Sequence, residues 1–508
     1  MNERYKGTIF SYIYMLEHIL INLLVVPLLL LRIGKTEYGI YQLVASFLAY
    51  VTVFESSVTA GVMRFYCEAL ARGDKGYAEN VLSNARIIYR ILAAIVVIVG
   101  AFCITGFFFL YKDSFSEYQM RESIGSLCIL FLNLVLTLLN AVYLATINAA
   151  EKFTFVKVTA MANDILCLLA YLLLLGFYPY AIAVVLIQTI FNFLMVTARK
   201  YYSEKELHIE ITQRFLDKPL ARKIILFSGG ILLASIADQI FWKTDQIIIG
   251  KIYNADMVAV YAVGAQIYMI YMKLGITVNS VFFPKVSRLL NIESDGIEQA
   301  SDLFIRVGRI AFYILLLILS GFIIFGIEFL DLWVGNAYRE AYAVAIIVMV
   351  PFTIDIIQHM GLTIIQVLDL YKFRAKMYFV AALLNIVLTI AMTWRYEMNG
   401  AALATAISMF ITSGIIMNWF YDKKVGLNIR EFWRNIITIA IRFIPFIIVA
   451  YLGNCYCVHA TGWIWLVVKI GIYTILYGLI ARRFTFSDYE TEIWNRFADK
   501  IGAMMRRR

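Results

Sequence analysis

Long apolar runs separated by short polar breaks recur along the whole of this 508-residue chain. Fourteen runs stand out, at 7–32, 38–62, 86–110, 123–148, 154–176, 180–199, 224–249, 256–283, 303–326, 341–367, 376–394, 398–420, 435–454 and 462–481. A bilayer core takes about 20 consecutive apolar residues per helix. Amides facing lipid must be bonded within their own segment, so each run is predicted to be a helix. The pattern therefore predicts an all-α polytopic membrane protein with about 14 transmembrane helices. The first run is longer than the ~7–15 apolar residues of a signal core and no small-residue cleavage site follows it. It is expected to be retained, which puts the N-terminus on the same side as the C-terminus.

Composition agrees: 62% of residues are hydrophobic, 16% are charged and mean hydropathy is +0.77. Soluble domains run nearer to about 45–50% apolar and about 25% charged. The 45 Lys and Arg residues are unevenly spread, with 34 in the N-terminus, the loops on its side and the C-terminal tail. Seven lie on the other side (Arg32, Lys35, Lys112, Arg121, Lys251, Arg339, Arg395), and Lys243, Lys273, Arg442 and Lys469 lie inside runs. Lys and Arg collect in cytoplasmic loops, so both termini are expected in the cytoplasm. The net charge of +10 is thus topological. With no basic soluble domain to hold it, nucleic acid is not an expected partner. Six cysteines, Cys67, Cys103, Cys128, Cys167, Cys455 and Cys457, show no metal-like pairing, and no metal or cofactor is expected.

A weak internal repeat divides the chain. The first two runs join through IGKTEYGIYQLV (33–44), and the seventh and eighth through IGKIYNADMVAVYAV (249–263). Polar connections ending in an Arg-bearing helix start follow at 64–91 and 284–314. The turns AAEKFTFVKV (149–158) and LDLYKFRAKM (368–377) also correspond, each followed by an in-span Asn, Asn163 and Asn385. The expected domains are a six-helix lobe at 1–200, a cytoplasmic linker at 201–223 and a second six-helix lobe at 224–421. Two further helices at 435–481 and a basic cytoplasmic tail at 482–508 complete the chain. Six is even, so the lobes insert the same way up, a plan that puts a transporter's substrate site at the repeat interface.

Enzymatic readings fare worse. The loops opposite the N-terminal side are short and carry Asp113, Glu117 and Asp331 in separate places. The four His residues, His18, His208, His359 and His459, fall in four segments. A membrane-bound glycan polymerase or ligase would need acid or His groups gathered outside. No phosphate-binding loop of the Walker type occurs. A transporter, not an enzyme, is expected.

The ordered set GTIFSYIYMLEHILINLLVVPLLLLRIGKTEYGIYQLVASF (7–47), RFY (64–66), TDQIIIG (244–250) and DLWVGNAY (331–338) resembles the polysaccharide flippases of the MOP superfamily. Wzx-type carriers of undecaprenyl-pyrophosphate-linked repeat units are the group it is most similar to. The resemblance implies a fold like that of MATE and MurJ transporters, with two six-helix lobes around a cavity that opens to each side in turn. It implies a bacterial inner-membrane flippase serving O-antigen, capsule or exopolysaccharide synthesis. Its partners would be a polyprenyl-linked oligosaccharide, the bilayer and polysaccharide polymerase machinery, with Na+ or H+ as the coupling ion. A cation-coupled drug antiporter of the MATE branch is the alternative.

Charged groups inside spans are costly and mostly face a bundle interior or a watery cavity. A pyrophosphate headgroup calls for cations, so Lys243 and Lys273 are the preferred substrate-binding residues. Arg32 and Arg64, near the ends of the first two runs, are candidates to guide the substrate at each mouth. For these end residues interfacial snorkelling is the ordinary alternative; for Arg442 and Lys469 structural pairing is expected instead. Glu17, Glu55, Asp245 and Asp355 are candidates for ion coupling, against the alternative of buried ion pairs locking helices together. The resemblance adds Asp238 and Asn385, by position, as a counterpart of the cation site of related lipid II flippases. The tail 484–508 is expected to form an amphipathic helix on the anionic leaflet, or else to dock a partner.

Overall fold

The computed structural model describes residues 3–209, 211, 216–280, 286, 288–290, 296–456, 461–492 and 494–495. Helices make up the fold: α1 (Glu3–Ala71), α2 (Lys75–Tyr111), α3 (Glu117–Ala149), α4 (Phe153–Leu174), α5 (Ala181–Lys205), α6 (Lys218–Ile252) and α7 (Ala255–Ser280). There follow α8 (Gly296–Trp333), α9 (Ala341–Ile357), α10 (His359–Val367), α11 (Tyr371–Met409), α12 (Ile429–Tyr456) and α13 (Trp463–Ile480). Among the described residues eleven helices are long and apolar enough to cross a membrane, or twelve if α9 and α10, bent by 40° at their junction, form one broken span.

Two of these helices hold two of the predicted spans each, which reconciles twelve with about fourteen. α1 is interrupted at Gly34, whose φ of 81° and ψ of 176° are non-helical. The break falls between the runs 7–32 and 38–62, where glycine takes a positive φ at no steric cost. α11 is interrupted at Tyr396 and Glu397, between the runs 376–394 and 398–420. The chain is an all-helical, multi-pass membrane protein.

Local sequence explains the starts of several helices. Asp74 caps α2 by accepting from the Tyr77 amide, and Ser116 and Gln119 form a reciprocal capping box on α3. Each satisfies amides that a helix start otherwise leaves unbonded. Asp217 caps α6 through the Leu220 amide. It also accepts from Asn80 Nδ2 at 2.8 Å, while its own amide donates to Asn84 Oδ1 at 3.0 Å. These bonds hold the Asp217 carboxyl below the usual carboxylate range, the Leu220 amide and Asn80 being the largest favourable causes.

The chain divides into two compact units. The first comprises residues 1–262 and 389–398; in it α1 packs on α2, α3, α4 and α6, and α3 packs on α5. The second comprises 263–388 and 399–508; in it α8 packs on α9, α12 and α13. This is a division by proximity, whereas the lobes at 1–200 and 224–421 are a reading of duplicated segments.

Residues just after α13 turn back onto the second unit. Arg309 on α8 donates from Nε and Nη2 to both carboxylate oxygens of Glu490, at 2.6 and 3.1 Å. Arg309 also reaches Asn435 and the Thr485 carbonyl, and Tyr313 donates to that same carbonyl at 2.8 Å. Phe486 stacks edge-on against Tyr313 and Trp494. Burial alone would push the Glu490 carboxyl up, but Arg309 and Ser487 hold it below the ordinary glutamate value. The described part of the tail thus docks on protein; its basic end, from residue 496 onward, lies outside the described residues.

Candidate functional site

The C-terminal third of α6 carries a cluster of buried polar residues. Thr244, Asp245 and Gln246 are all buried, and each is bonded to another element. The Tyr50 hydroxyl of α1 meets Thr244 Oγ1 at 2.5 Å, and Ser46 of α1 donates to Gln246 Oε1. Asp245, 2% exposed, accepts from the Tyr261 hydroxyl of α7 and from Thr389 Oγ1 at 3.0 Å. A buried carboxylate with two hydroxyl donors on two other helices acts as a cross-brace. Asp245 thus has the partners of a helix-locking group.

Lys243 stands beside this brace but outside it. It falls within the apolar run 224–249, six residues or about 9 Å from its end at 1.5 Å per residue. Its side chain is half-buried, and among the described residues it has no hydrogen-bond or ion-pair partner. The other in-span cations contrast with it. Lys469 pairs with Glu328 at 2.8 Å, and Arg442 donates to the Phe484 carbonyl at 2.5 Å. Lys273, on the α7 part of the second unit, is exposed and has interactions of its own. Arg32 is exposed near the Gly34 break. Arg64 is exposed too, its guanidinium 4.3 Å from the centre of the Phe227 ring.

The remaining carboxylates fall into separate groups. Near the start of α1, His18 Nδ1 lies 2.9 Å from Asp164 Oδ2 on α4. Both oxygens of the adjacent Glu17 are buried without a hydrogen-bond partner among the described residues. Glu55 accepts a long bond from Thr59, at 3.4 Å, and Thr59 also meets the Tyr89 hydroxyl. In the second unit Asp355 accepts from Ser413 Oγ at 2.6 Å. It lines a small cavity of ≈ 10 Å³ with Gln358, His359 and Arg374 at the bend between α9 and α10. Asn385 is fully buried and donates to Thr405 Oγ1 at 2.9 Å. Asp238, by contrast, is exposed. Among the described residues no three or more His, Cys, Asp or Glu side chains are grouped to hold a metal ion.

The profile of the family described as "Polysaccharide biosynthesis protein" matches residues 5–290 of this chain, more than half of it. The chain belongs to that family. Across 407 residues this polysaccharide biosynthesis protein is 21% identical to a Shigella flexneri protein whose name assigns it O-antigen transport provisionally. The match covers 78% of this chain and 92% of the relative. Its fold is similar to that of the lipid II flippase MurJ in an inward closed conformation, with a TM-score of 0.75 at 15% identity over 94% of this chain and 98% of MurJ. An inward-facing multidrug resistance MATE transporter of the MOP superfamily is similar at a TM-score of 0.67 and 12% identity, over 84% of this chain and 99% of that one. The fold is therefore of the MurJ and MATE type. By name these relatives are transporters and flippases, in line with a transporter that is not an enzyme.

In this polysaccharide biosynthesis protein the motif IGKTEYGIYQLV has a visible structural job. Glu37 is buried; one carboxylate oxygen accepts from the Tyr118 hydroxyl at 2.7 Å, the other from the Ala181 amide at 2.7 Å. It thereby fixes the starts of α3 and α5. Thr36 donates to Asp256 Oδ1 at 2.6 Å, and Gly39 lies so close to the Ala255 carbonyl that a Cβ there would sit 1.8 Å from its oxygen. Sequence reasoning singled out the motif but not these roles. It also passed over Thr389 and Tyr261, which hold Asp245; Thr389 falls one helical turn after Asn385, a spacing that gave the available signal.

Proposed function

We propose that this protein is a flippase that carries an undecaprenyl-pyrophosphate-linked oligosaccharide repeat unit from the cytoplasmic to the outward-facing leaflet of a bacterial inner membrane. It works by alternating access, with both termini in the cytoplasm, and serves O-antigen, capsule or exopolysaccharide synthesis. The observation that carries the reading is Lys243. A half-buried cation within an apolar span, with no counter-charge from the described residues, is expensive to keep, and an anionic headgroup supplies the missing partner. Membership of a polysaccharide biosynthesis family supports a glycan as the cargo. The coupling ion, Na+ or H+, is assigned to Glu17, whose carboxylate has no hydrogen bond to surrender among the described residues.

The test is arrival of lipid-linked repeats in the outward-facing leaflet of the inner membrane of cells lacking the gene, with wild-type or Lys243→Ala protein restored. A charge-assisted contact contributes about 1.5–3 kcal/mol, so the variant should export about 10- to 100-fold less substrate per unit time at limiting supply. Normal export by Lys243→Ala would remove the assigned headgroup contact. Export undiminished by deletion, with only drug resistance falling, would make the protein a MATE-like antiporter.

A further inference from the structure

A cavity of ≈ 1010 Å³ opens at the turn between α2 and α3, lined by Phe108, Lys112, Phe115, Tyr118, Arg121 and Ile124 among others. Nothing in the proposed transport cycle uses it. This is the end of the bundle where cations are scarce: seven of the 45 Lys and Arg residues were assigned there from sequence. Of those, Arg339 is paired with Asp331 and Arg395 lies over the Tyr396 ring. Lys112 and Arg121 are both exposed and enter no salt bridge among the described residues, yet they line the same cavity. Glu117 also lines it, but as a first-turn acid on α3 it is favourably placed on the helix dipole. With it counted, the wall still carries one net positive charge.

The wall grades from charged to apolar along the membrane normal. Phe108 lies one turn deeper than Lys112 on α2, and Ile124 about one turn deeper than Arg121 on α3. Phe108 is 44% exposed and its neighbour Phe109 63%, so this face of α2 meets lipid. The turn itself is stiff. Ser114 Oγ donates to the Lys251 carbonyl at 2.9 Å, Phe107, Tyr111 and Phe115 pack together, and the capping box fixes the first turn of α3. Tyr118 is held by Glu37. A preset wall of this kind loses little entropy when a ligand settles on it.

A cationic rim beside an apolar wall, at a helix end, fits an anionic amphiphile. We propose that this cavity binds an anionic phospholipid of the surrounding leaflet, its phosphate between Lys112 and Arg121 and an acyl chain along Phe108 and Ile124. A free sugar fits less well, because the deeper wall offers it no polar partner.

The probe is phosphatidylglycerol, titrated against phosphatidylcholine onto the purified full-length protein and followed by native mass spectrometry. Each interfacial cation adds attraction equivalent to about a fivefold change in affinity. Lys112→Gln with Arg121→Gln should therefore weaken one phosphatidylglycerol site about 25-fold and leave phosphatidylcholine binding as it was. Both positions are exposed, so the variants should fold; an unchanged melting temperature in lipid-free detergent checks this, and loss of the extra stabilisation by phosphatidylglycerol gives a second readout. Equal affinity for the two lipids, or unchanged phosphatidylglycerol binding in the double variant, overturns the proposal. Binding of undecaprenyl phosphate that phosphatidylglycerol fails to displace also overturns it, since the cavity would then belong to the carried lipid.

Discussion

Replacing Arg309 by alanine should release the chain segment that follows the last span. In the folded protein the Arg309 and Glu490 side chains are only 12% and 5% exposed, and their two parallel bonds are 2.6 and 3.1 Å long. Removing one partner of a buried pair leaves the other charge uncompensated and costs roughly 3–5 kcal/mol. At 1.4 kcal/mol per factor of ten, even about 3 kcal/mol raises the undocked population more than 100-fold. Hydrogen exchange of residues 485–492, in protein held in lipid nanodiscs, reads that population directly. The pH dependence follows from the depressed Glu490 value. A carboxyl lowered on folding contributes stability that is fully present above its unfolded pKa, near about 4.3, and lost as pH falls through the lower folded value. Wild-type protection should therefore hold at pH 7 and pH 5 and fade only below about pH 4, whereas Glu490→Gln should be weaker throughout and lack that step. Unchanged exchange at 485–492 in Arg309→Ala would refute the claim that this pair holds the tail.

Two other perturbations test the packing argument. Gly39→Ala puts a methyl group 1.8 Å from the Ala255 carbonyl oxygen; overpacking of this kind costs about 1–3 kcal/mol or more, so the purified variant should melt at a lower temperature, and an unchanged melting point would show that the contact yields freely. Asp245→Ala removes the acceptor that the Tyr261 and Thr389 hydroxyls share, which Asp245→Asn can still partly supply; melting temperatures should fall in the order wild type, Asn, Ala, and equal values for all three would contradict the cross-brace.

Much of the architecture was legible because the bilayer imposes one rule at every position: runs of apolar residues long enough to span must be helices. Even the joints were marked, since the predicted gap between the first two spans contains Gly34, where α1 breaks. The pairing of Lys469, expected from its place in an added helix, is met by Glu328, 141 residues away. Long-range partners of that kind leave no trace in local pattern. Asp238 and Asp245 sit two turns apart on α6 and look alike in sequence, yet one is exposed and the other braced by Tyr261 and Thr389. Likewise His18, Asp164 and Glu17 were visible as in-span ionisable residues, but nothing in their spacing says that the first two meet and the third does not. Burial and partner choice are properties of the packed bundle, which a linear pattern constrains only through the face each residue occupies.

The first compact unit ends at Ala262 but is completed by residues 389–398. During synthesis the intervening stretch takes on the order of ten seconds to emerge at ~5–20 residues per second. Throughout that interval Asp245 lacks the bond from Thr389. The first unit is therefore incomplete until residues 389–398 arrive, and a chain truncated before Thr389 should be more readily degraded than one ending after Met398.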